Sequence, residues 1–510
     1  YSGTTTVQLG TLQLGASAPD NALFYKFSTS AGIVGSASNI GLNALVTNGG
    51  IFDLNGHSQA TFILSRGSLP GSGGIVTNTA SGSAVNLTHL QDGNNRDFAG
   101  QINGNLNLRA TGLGTTTFRD DNTFTGNATI MGAPVILYDQ GRFSGMGTGD
   151  TVSIRNSLLR WDDSGVQELN NRIASTVAIQ LDGGAFEYMS RGAMTDSITL
   201  GNLSLTGGTS TLRVNPGNGG FGAATLNLGG TFARSTGATV NFASGAGIIG
   251  AGANITAAAA GLNTNTNGIL GGWATVNTGD GTTAAANLEF ATYDAVTGIR
   301  QINNVEQTGT FSASVATSNL RIAANATINN GGQTINSLTM NGAAVTVAFT
   351  GTTLDTLTLA SGGLLSGSDA NARTIGATTN ANTRGRITSS LASGELFIHS
   401  GSSSGLTIHS DITGTITPVF TSGGTNAGAT IVLNNANSYV GTAYAHGVIL
   451  NLGVLGTTST PNAITGDLIA TGGNINGTGS ALNANSAVNW QASNQVADTA
   501  NLTVRGGAVM

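Results

Sequence analysis

The residues best suited to chemistry in this chain are few and scattered. Asp162 and Asp163 follow Trp161, and adjacent carboxylates beside an indole could bind a sugar. On a strand, however, neighbours point to opposite faces, so the two acids act as a pair only if the backbone turns there. The alternative is a loop carrying solvated acids. Asp120 and Asp121 precede an aromatic-x-Gly step and read as a turn. Five histidines are present: His57, His89, His399, His409 and His446. His399 and His409 each follow Ile and precede Ser, and on successive short strands two imidazoles could approach and hold a divalent metal, with Glu395 or Asp411 nearby. The competing reading is two exposed polar positions. Gly147-Thr148-Gly149-Asp150 is similar to one turn of a calcium nonapeptide, and Asp92-Gly93-Asn94-Asn95-Arg96-Asp97 carries hard oxygen ligands at short spacing. Neither repeats in tandem nor carries an acidic twelfth position, so both read as turns.

The remaining candidates thin out in the same way. Arg384 and Arg386 flank Gly385, with no acid before Glu395. Lys26, inside Phe24-Tyr25-Lys26-Phe27, is the single lysine, and no Gly-x-x-x-x-Gly-Lys loop exists to cradle phosphate. Trp161, Trp273 and Trp490 could serve as stacking platforms for carbohydrate. Triplets such as Asn86-Leu87-Thr88, Asn127-Ala128-Thr129 and Asn325-Ala326-Thr327 are expected by chance at this Asn and Thr content. The reading assigns no catalytic, cofactor-binding or metal residue, and no enzyme activity.

Composition sets the class. Of 510 residues, 78 are Gly and only 6 Pro, with charged residues at 8%. Collagen needs strict Gly every third residue and abundant Pro, and a disordered chain needs high net charge; here the net charge is −6. Clustered positive charge for phosphate is missing, which excludes nucleic acid as a partner. No run of about eighteen apolar residues crosses a bilayer as a helix. Cysteine is absent, so disulfides, thiolate catalysis and thiolate metal sites are excluded, as suits an exported chain.

The elements that must position these residues are short strands. Asn105-Leu106-Asn107-Leu108-Arg109, Thr151-Val152-Ser153-Ile154-Arg155, Ser197-Ile198-Thr199-Leu200 and Thr356-Leu357-Thr358-Leu359 alternate with period two, which puts apolar groups on one face and Thr or Asn on the other. Steps at Gly49-Gly50, Asn55-Gly56, Gly183-Gly184, Gly207-Gly208, Gly331-Gly332 and Asn341-Gly342 supply positive-φ corners. Helical turns are expected only at Val166–Asn170 and Ala257–Ala260. Irregular corner spacing argues against a propeller and for a solenoid. At roughly 18–25 residues per rung and about 4.8 Å per rung, such a rod would be roughly 100–130 Å long.

Three phrases repeat: Tyr1-Ser2-Gly3-Thr4-Thr5-Thr6-Val7, Phe124-Thr125-Gly126-Asn127-Ala128-Thr129-Ile130 and Tyr439-Val440-Gly441-Thr442-Ala443-Tyr444. With Phe98-Ala99-Gly100 leading to Asn122-Thr123-Phe124, Asp411-Ile412-Thr413-Gly414 leading to Tyr439, Gly49-Gly50-Ile51-Phe52-Asp53-Leu54 and Gly268-Ile269-Leu270-Gly271-Gly272-Trp273, the chain resembles the autotransporter-associated β-strand (passenger-associated) repeat family. The resemblance implies an all-β, right-handed parallel β-helix, at the cell surface or outside a Gram-negative bacterium. No barrel-like stretch or leader is read, as expected of a segment of something longer. One continuous solenoid over 1–510 is expected, with a sub-boundary near 250–310. Its expected role is a protease- and heat-resistant structural fibre that self-associates through open rung ends. The alternatives are a passenger adhesin for surface glycans and, third, a β-helix polysaccharide lyase or hydrolase.

Overall fold

In the computed structural model the described residues are 5–510 apart from 23–44, 48, 62–63, 65–68, 218–221, 246–248, 260, 278–287, 424–427, 455–461, 473–485 and 507. The phrase opening at Tyr1 is therefore described only from Thr5, and Lys26 lies outside the described residues. The chain forms two compact units. The first comprises Tyr1–Leu181, Phe186–Ser204 and Asn215–Thr231; the second comprises Asp182–Ala185, Leu205–Val214 and Phe232–Met510.

The first unit is a three-faced coil of parallel strands. One face stacks Ile51–Asp53, Ile75–Asn78, Gln101–Gly104 and Asp121–Phe124. The next stacks Val85–Asp92, Leu106–Leu113, Ala128–Met131 and Thr151–Arg155, and the third Arg96–Phe98, Thr116–Phe118, Val135–Leu137 and Leu158–Asp162. The chain visits the three faces in turn, so each circuit lays one rung on the last. Alternation does what period two requires: Leu106–Leu113 begins buried, half-buried, buried, exposed. Inward residues meet their equivalents one rung on, giving the in-register column Phe98, Phe118, Leu137, Trp161. Phe98 and Phe118 meet edge-to-face at 5.9 Å, and Phe124 meets Phe143 at 5.2 Å. Each such fully buried side chain contributes roughly 1.5–3 kcal/mol through apolar area removed from water.

The aromatic-x-Gly phrase has a physical cause. Phe124 and Tyr439 are buried, plugging the core at a corner. Two residues on, a Cβ on Gly126 would sit 2.5 Å from the Leu106 carbonyl oxygen, and one on Gly441 2.2 Å from that of Ile416. Only glycine lets the corner lie so close to the rung before it. The same holds at Phe98-Ala99-Gly100 and at Phe143-Ser144-Gly145, where the Gly145 Cβ would meet the Thr123 oxygen at 2.2 Å. The last copy carries the same aromatic-x-Gly signal. Gly126→Val should lower the stability of the first unit by about 1–3 kcal/mol through overpacking, read as a lower denaturation midpoint.

The second unit contains its own three-faced parallel coil, from Asn319 to Arg505. One face stacks Ala326–Ile328, Val345–Phe349, Arg373–Ile375, Leu406–Ile408, Thr430–Leu433, Ile449–Leu452 and Ala487–Trp490. The long strand Thr356–Ser366 bends across a corner and serves the two other faces: Thr356–Leu359 pair with Arg386–Ser389, and Gly363–Ser366 with Phe397–Ser400. Rung length runs from 18 residues (Asn319 to Ser337) to 38 (Ile449 to Ala487). The upper end exceeds the expected 18–25 because corner loops enlarge individual rungs without shifting the ladders.

One face of this coil is covered. Four strands of the cover are β1 (Thr209–Asn215), β2 (Thr239–Ser244), β3 (Ala274–Asn277) and β4 (Leu288–Asp294). Pairing is parallel from β1 to β3, then antiparallel between β3 and β4 and on to Gly298–Gln301. The covered strands include β5 (Glu395–Ser400), β6 (Thr417–Thr421), β7 (Ala443–His446) and β8 (Leu468–Thr471), paired in parallel. All six residues of β5 are buried, which period two cannot produce unless both faces are packed. Leu396 and Ile398 enter the coil's core, while Leu365 joins Ile269, Leu288, Phe290 and Ile302 in a small second core under the cover.

The helical expectations fail. Val166–Asn170 is a loop held by Asp163, which accepts from the Leu169 amide, and Ala257 ends the strand Ala253–Ala257. The one α-helical turn among the described residues is Ala381–Arg384, capped by the Asn380 side chain.

Candidate functional surface and buried polar centres

Trp161, Asp162 and Asp163 are not solvated. Asp163 and Arg172 are 1% and 0% exposed and joined at 2.8 Å (Arg172 Nε to Asp163 Oδ1). Asp163 Oδ2 accepts from the Trp161 indole at 3.0 Å, and Arg172 also donates to the carbonyls of Gly141, at 2.6 Å, and Asp162, at 3.0 Å. Burial pushes the Asp163 carboxyl up and the Arg172 guanidinium down, and their ion pair opposes both. Asp162 instead receives the amide and hydroxyl of Ser164 in a turn. The two acids therefore serve separate structural bonds. Glu168 and Asp196 share a hydrogen bond near this network; burial first, then Asp196, raises the Glu168 carboxyl.

The other acidic candidates are also engaged. Asp121 opens a strand and pairs with Arg142 of the next rung at 2.6 Å, so the expected turn stops at Asp120. Asp97 binds Arg119 Nε at 2.8 Å, and Arg119 also reaches Asp139. Asp150 accepts the Gly147 amide at 2.8 Å, closing a local turn, and Asn95 accepts that of Thr115, one rung on, at 3.1 Å. Arg384 binds Asn435 and Arg386 faces Asp411 at 3.6 Å. The chain's deeply buried basic group in the second coil is Arg373, clamped on Asp369 at 2.7 Å and on the Gly342 carbonyl at 3.0 Å.

The histidines separate. His399 lies on β5, whereas His409 follows Leu406–Ile408 on another face, so the proposed metal pair does not form. His57 is half-buried beyond the Asn55-Gly56 turn, and buried His89 meets the Thr116 hydroxyl at 3.1 Å. His446 lies on β7. In register, His399, Thr421, His446 and Thr471 form one row on the covered face. His399 Nε2 donates to the Gly272 carbonyl at 2.7 Å, and the Thr209 and Thr421 hydroxyls meet at 2.6 Å. Burial lowers both imidazoles to about 4. A base whose folded value is depressed binds fewer protons folded than unfolded. Stability therefore falls as pH drops from 6.5 towards 4, by up to about 3 kcal/mol per histidine, and is flat above 7. Denaturation midpoints of the second unit between pH 7.5 and 4 check this.

Beside that row, Arg234 grips Glu395 with both nitrogens, at 2.8 and 2.6 Å, while Glu395 also accepts from the Gly237 amide and the Ser393 hydroxyl. The guanidinium lies 5.5 Å from the Trp273 ring centre and 5.4 Å from that of Phe397. No sequence signal joins these residues, 161 positions apart.

The outward faces carry rows of short polar groups. On the second coil, Thr334, Thr358 and Thr388 are in register, as are Thr413 and Ser438, and the Thr388 hydroxyl donates to the Thr413 carbonyl at 2.7 Å. Thr356, Arg386 and Asp411 run alongside. Another face shows Thr346, Thr374, Thr407, Val432, Asn451 and Asn489, ending beside Trp490. Of the three tryptophans, Trp490 is 39% exposed; Trp161 belongs to the core column, and Trp273 is buried against Phe232. The first coil has Thr88, Arg109, Thr129, Ser153 and Gln180 in one row and an amide ladder of Asn86, Asn107 and Asn127. No helix among the described residues is long and apolar enough to cross a membrane.

No family model matches the chain, and no solved structure does. Among curated proteins it is similar to a protein named "Adhesin BmaC autotransporter" from Brucella suis biovar 1 (strain 1330), with 27% identity over 429 residues. The match covers 82% of this chain and 11% of that protein, so the chain spans about a tenth of its curated relative. Together with the all-β parallel coils, this similarity supports kinship with autotransporter-type proteins, without assigning the particular repeat family that the sequence resembles.

Proposed function

We propose that the chain is a passenger-type segment of a bacterial surface adhesin, wound right-handedly, whose outward polar rows bind surface glycans. It acts by binding, not by turnover, at the cell surface or outside the cell. The observation that carries this is the in-register exposure of hydroxyl and amide groups along flat parallel faces. Such rows present donors and acceptors at about 4.8 Å intervals along a rigid support, which suits a long polyhydroxylated ligand. The named adhesin similarity favours this reading over a self-associating structural fibre.

The test is binding of the purified chain to immobilised polysaccharides and to intact cells before and after glycosidase treatment. Saturable, glycosidase-sensitive binding is expected. The triple substitution Thr358→Val/Thr388→Val/Thr413→Val, which keeps shape and strand preference, should weaken it by about tenfold or more, as loss of hydroxyl hydrogen bonds predicts. Absence of saturable binding, or binding indifferent to both treatments, would overturn the reading.

A further inference from the structure

The contact between the cover and the second coil is unusual in chemistry. Sheets normally pack through apolar side chains, yet Thr209, Thr211, Asn241, Thr275 and Asn277 on the cover and His399, Thr421, His446 and Thr471 on the coil are all buried. Some of these groups bridge: Thr209 to Thr421 at 2.6 Å, His399 to the Gly272 carbonyl at 2.7 Å, and Thr275 to the Gly423 carbonyl at 3.4 Å. His399 Nδ1 has no hydrogen-bond partner, and the Phe290 ring stands edge-on to the imidazole at 6.0 Å. A proton added at that nitrogen creates a buried N–H without an acceptor, beside a hydrocarbon ring.

We propose that the His399–Thr421–His446 row is an acid-operated latch, which releases the cover (β1 to β4) from the outer face of the second coil while the coil itself stays wound. The row has the geometry of a switch. Its two imidazoles stand two rungs apart, about 10 Å, with a neutral threonine between them. Charging both therefore adds mutual repulsion to the loss of water around each ion. The charged groups on the packed elements offer no counter-charge to absorb this. On the coil face, Glu395 is already held by Arg234, and Arg505 stands at the end of the histidine row. The phenol of Tyr444 is 5.5 Å from His446, ring centre to ring centre. From the cover comes Arg213, two residues beyond Thr211, while Arg234, on the separate strand Phe232–Arg234, is taken up by Glu395; Glu289, on β4, is paired with Arg321 at 3.4 Å. The coil's own core behind these strands, by contrast, is apolar: Leu396, Ile398, Phe420 and Ala445 do not titrate. Acid thus acts on one side of these strands only.

The absence of cysteine makes the test direct. Thr421→Cys places one thiol in the latch, and Ala445→Cys places one in the coil's core beside it. Both are labelled with 4,4′-dithiodipyridine, which reacts in acid, at pH 7.5 and pH 4, and rates are normalised to exposed Ser438→Cys. Labelling of the latch thiol should speed up by about a hundredfold per histidine at pH 4 if each regains its ordinary value on release. The core thiol should stay protected, and His399→Gln/His446→Gln should abolish the acceleration. Should Thr421→Cys fail to fold, Thr471→Cys on the same row replaces it. Equal protection at both pH values, acceleration that survives the double histidine substitution, or a core thiol exposed together with the latch thiol would each overturn the proposal.

Discussion

Asp163→Ala should cost the first unit about 3–5 kcal/mol, the usual penalty for removing one partner of a fully buried ion pair. Arg172 would keep its bonds to the Gly141 and Asp162 carbonyls but lose the carboxylate that offsets its charge, in a fully buried position. Trp161 would keep the Leu169 carbonyl and lose its second acceptor. Trp161 fluorescence during denaturation, in a Trp273→Phe/Trp490→Phe background, reads the effect. Adding Arg172→Met should recover part of the loss, because an apolar side chain needs no counter-ion. A single substitution no worse than the double would show that the charge itself is not what the site must satisfy.

Glu395→Ala should have a comparable effect on the second unit, again about 3–5 kcal/mol, by stranding Arg234 between two aromatic rings and leaving the Gly237 amide without its carboxylate. Glu395→Gln should fall between the two, since a neutral oxygen still accepts from Gly237. Burial alone would raise the Glu395 carboxyl, but the Arg234 bonds outweigh it and hold it below its ordinary 4.5. A depressed carboxylate contributes stability that is present above its unfolded value and lost as pH falls through the folded one. Glu395 therefore gives way only at pH values below those at which the histidines begin to act. Wild type should show two acid phases, and Glu395→Gln a smaller lower one, since Asp355 and Asp369 are also held below the ordinary carboxylate range, in a pH series of denaturation midpoints.

What was legible in the sequence was what depends on near neighbours. Period-two alternation located strands such as Thr151–Arg155, and each of the six Gly-Gly or Asn-Gly steps contains a residue at positive φ. Gly208, at φ 63, is one of them, with its would-be Cβ 2.7 Å from Gly183. Burial of charge was not legible. Asp162-Asp163 reads as solvated because the residue that neutralises Asp163 lies nine positions on, across a loop that resembles a helix. The two-sided burial of Glu395-Leu396-Phe397-Ile398-His399-Ser400 was equally hidden. Its polar ends, Glu395, His399 and Ser400, read as exposed positions, and only the cover, distant in sequence, supplies the second packed face.

The unequal rungs have a mechanical consequence. In a parallel coil the ladder bonds run along the axis, so tension applied through the ends of the second coil loads one rung at a time, opening it like a zip instead of shearing all ladders together. Each released rung lengthens the tether in proportion to its residues. An 18-residue rung would yield about 6 nm and a 34-residue rung about 12 nm at full extension. Stretched between two anchors, such a coil would pay out in small steps of uneven length, dissipating a pull that would break a stiffer link at once.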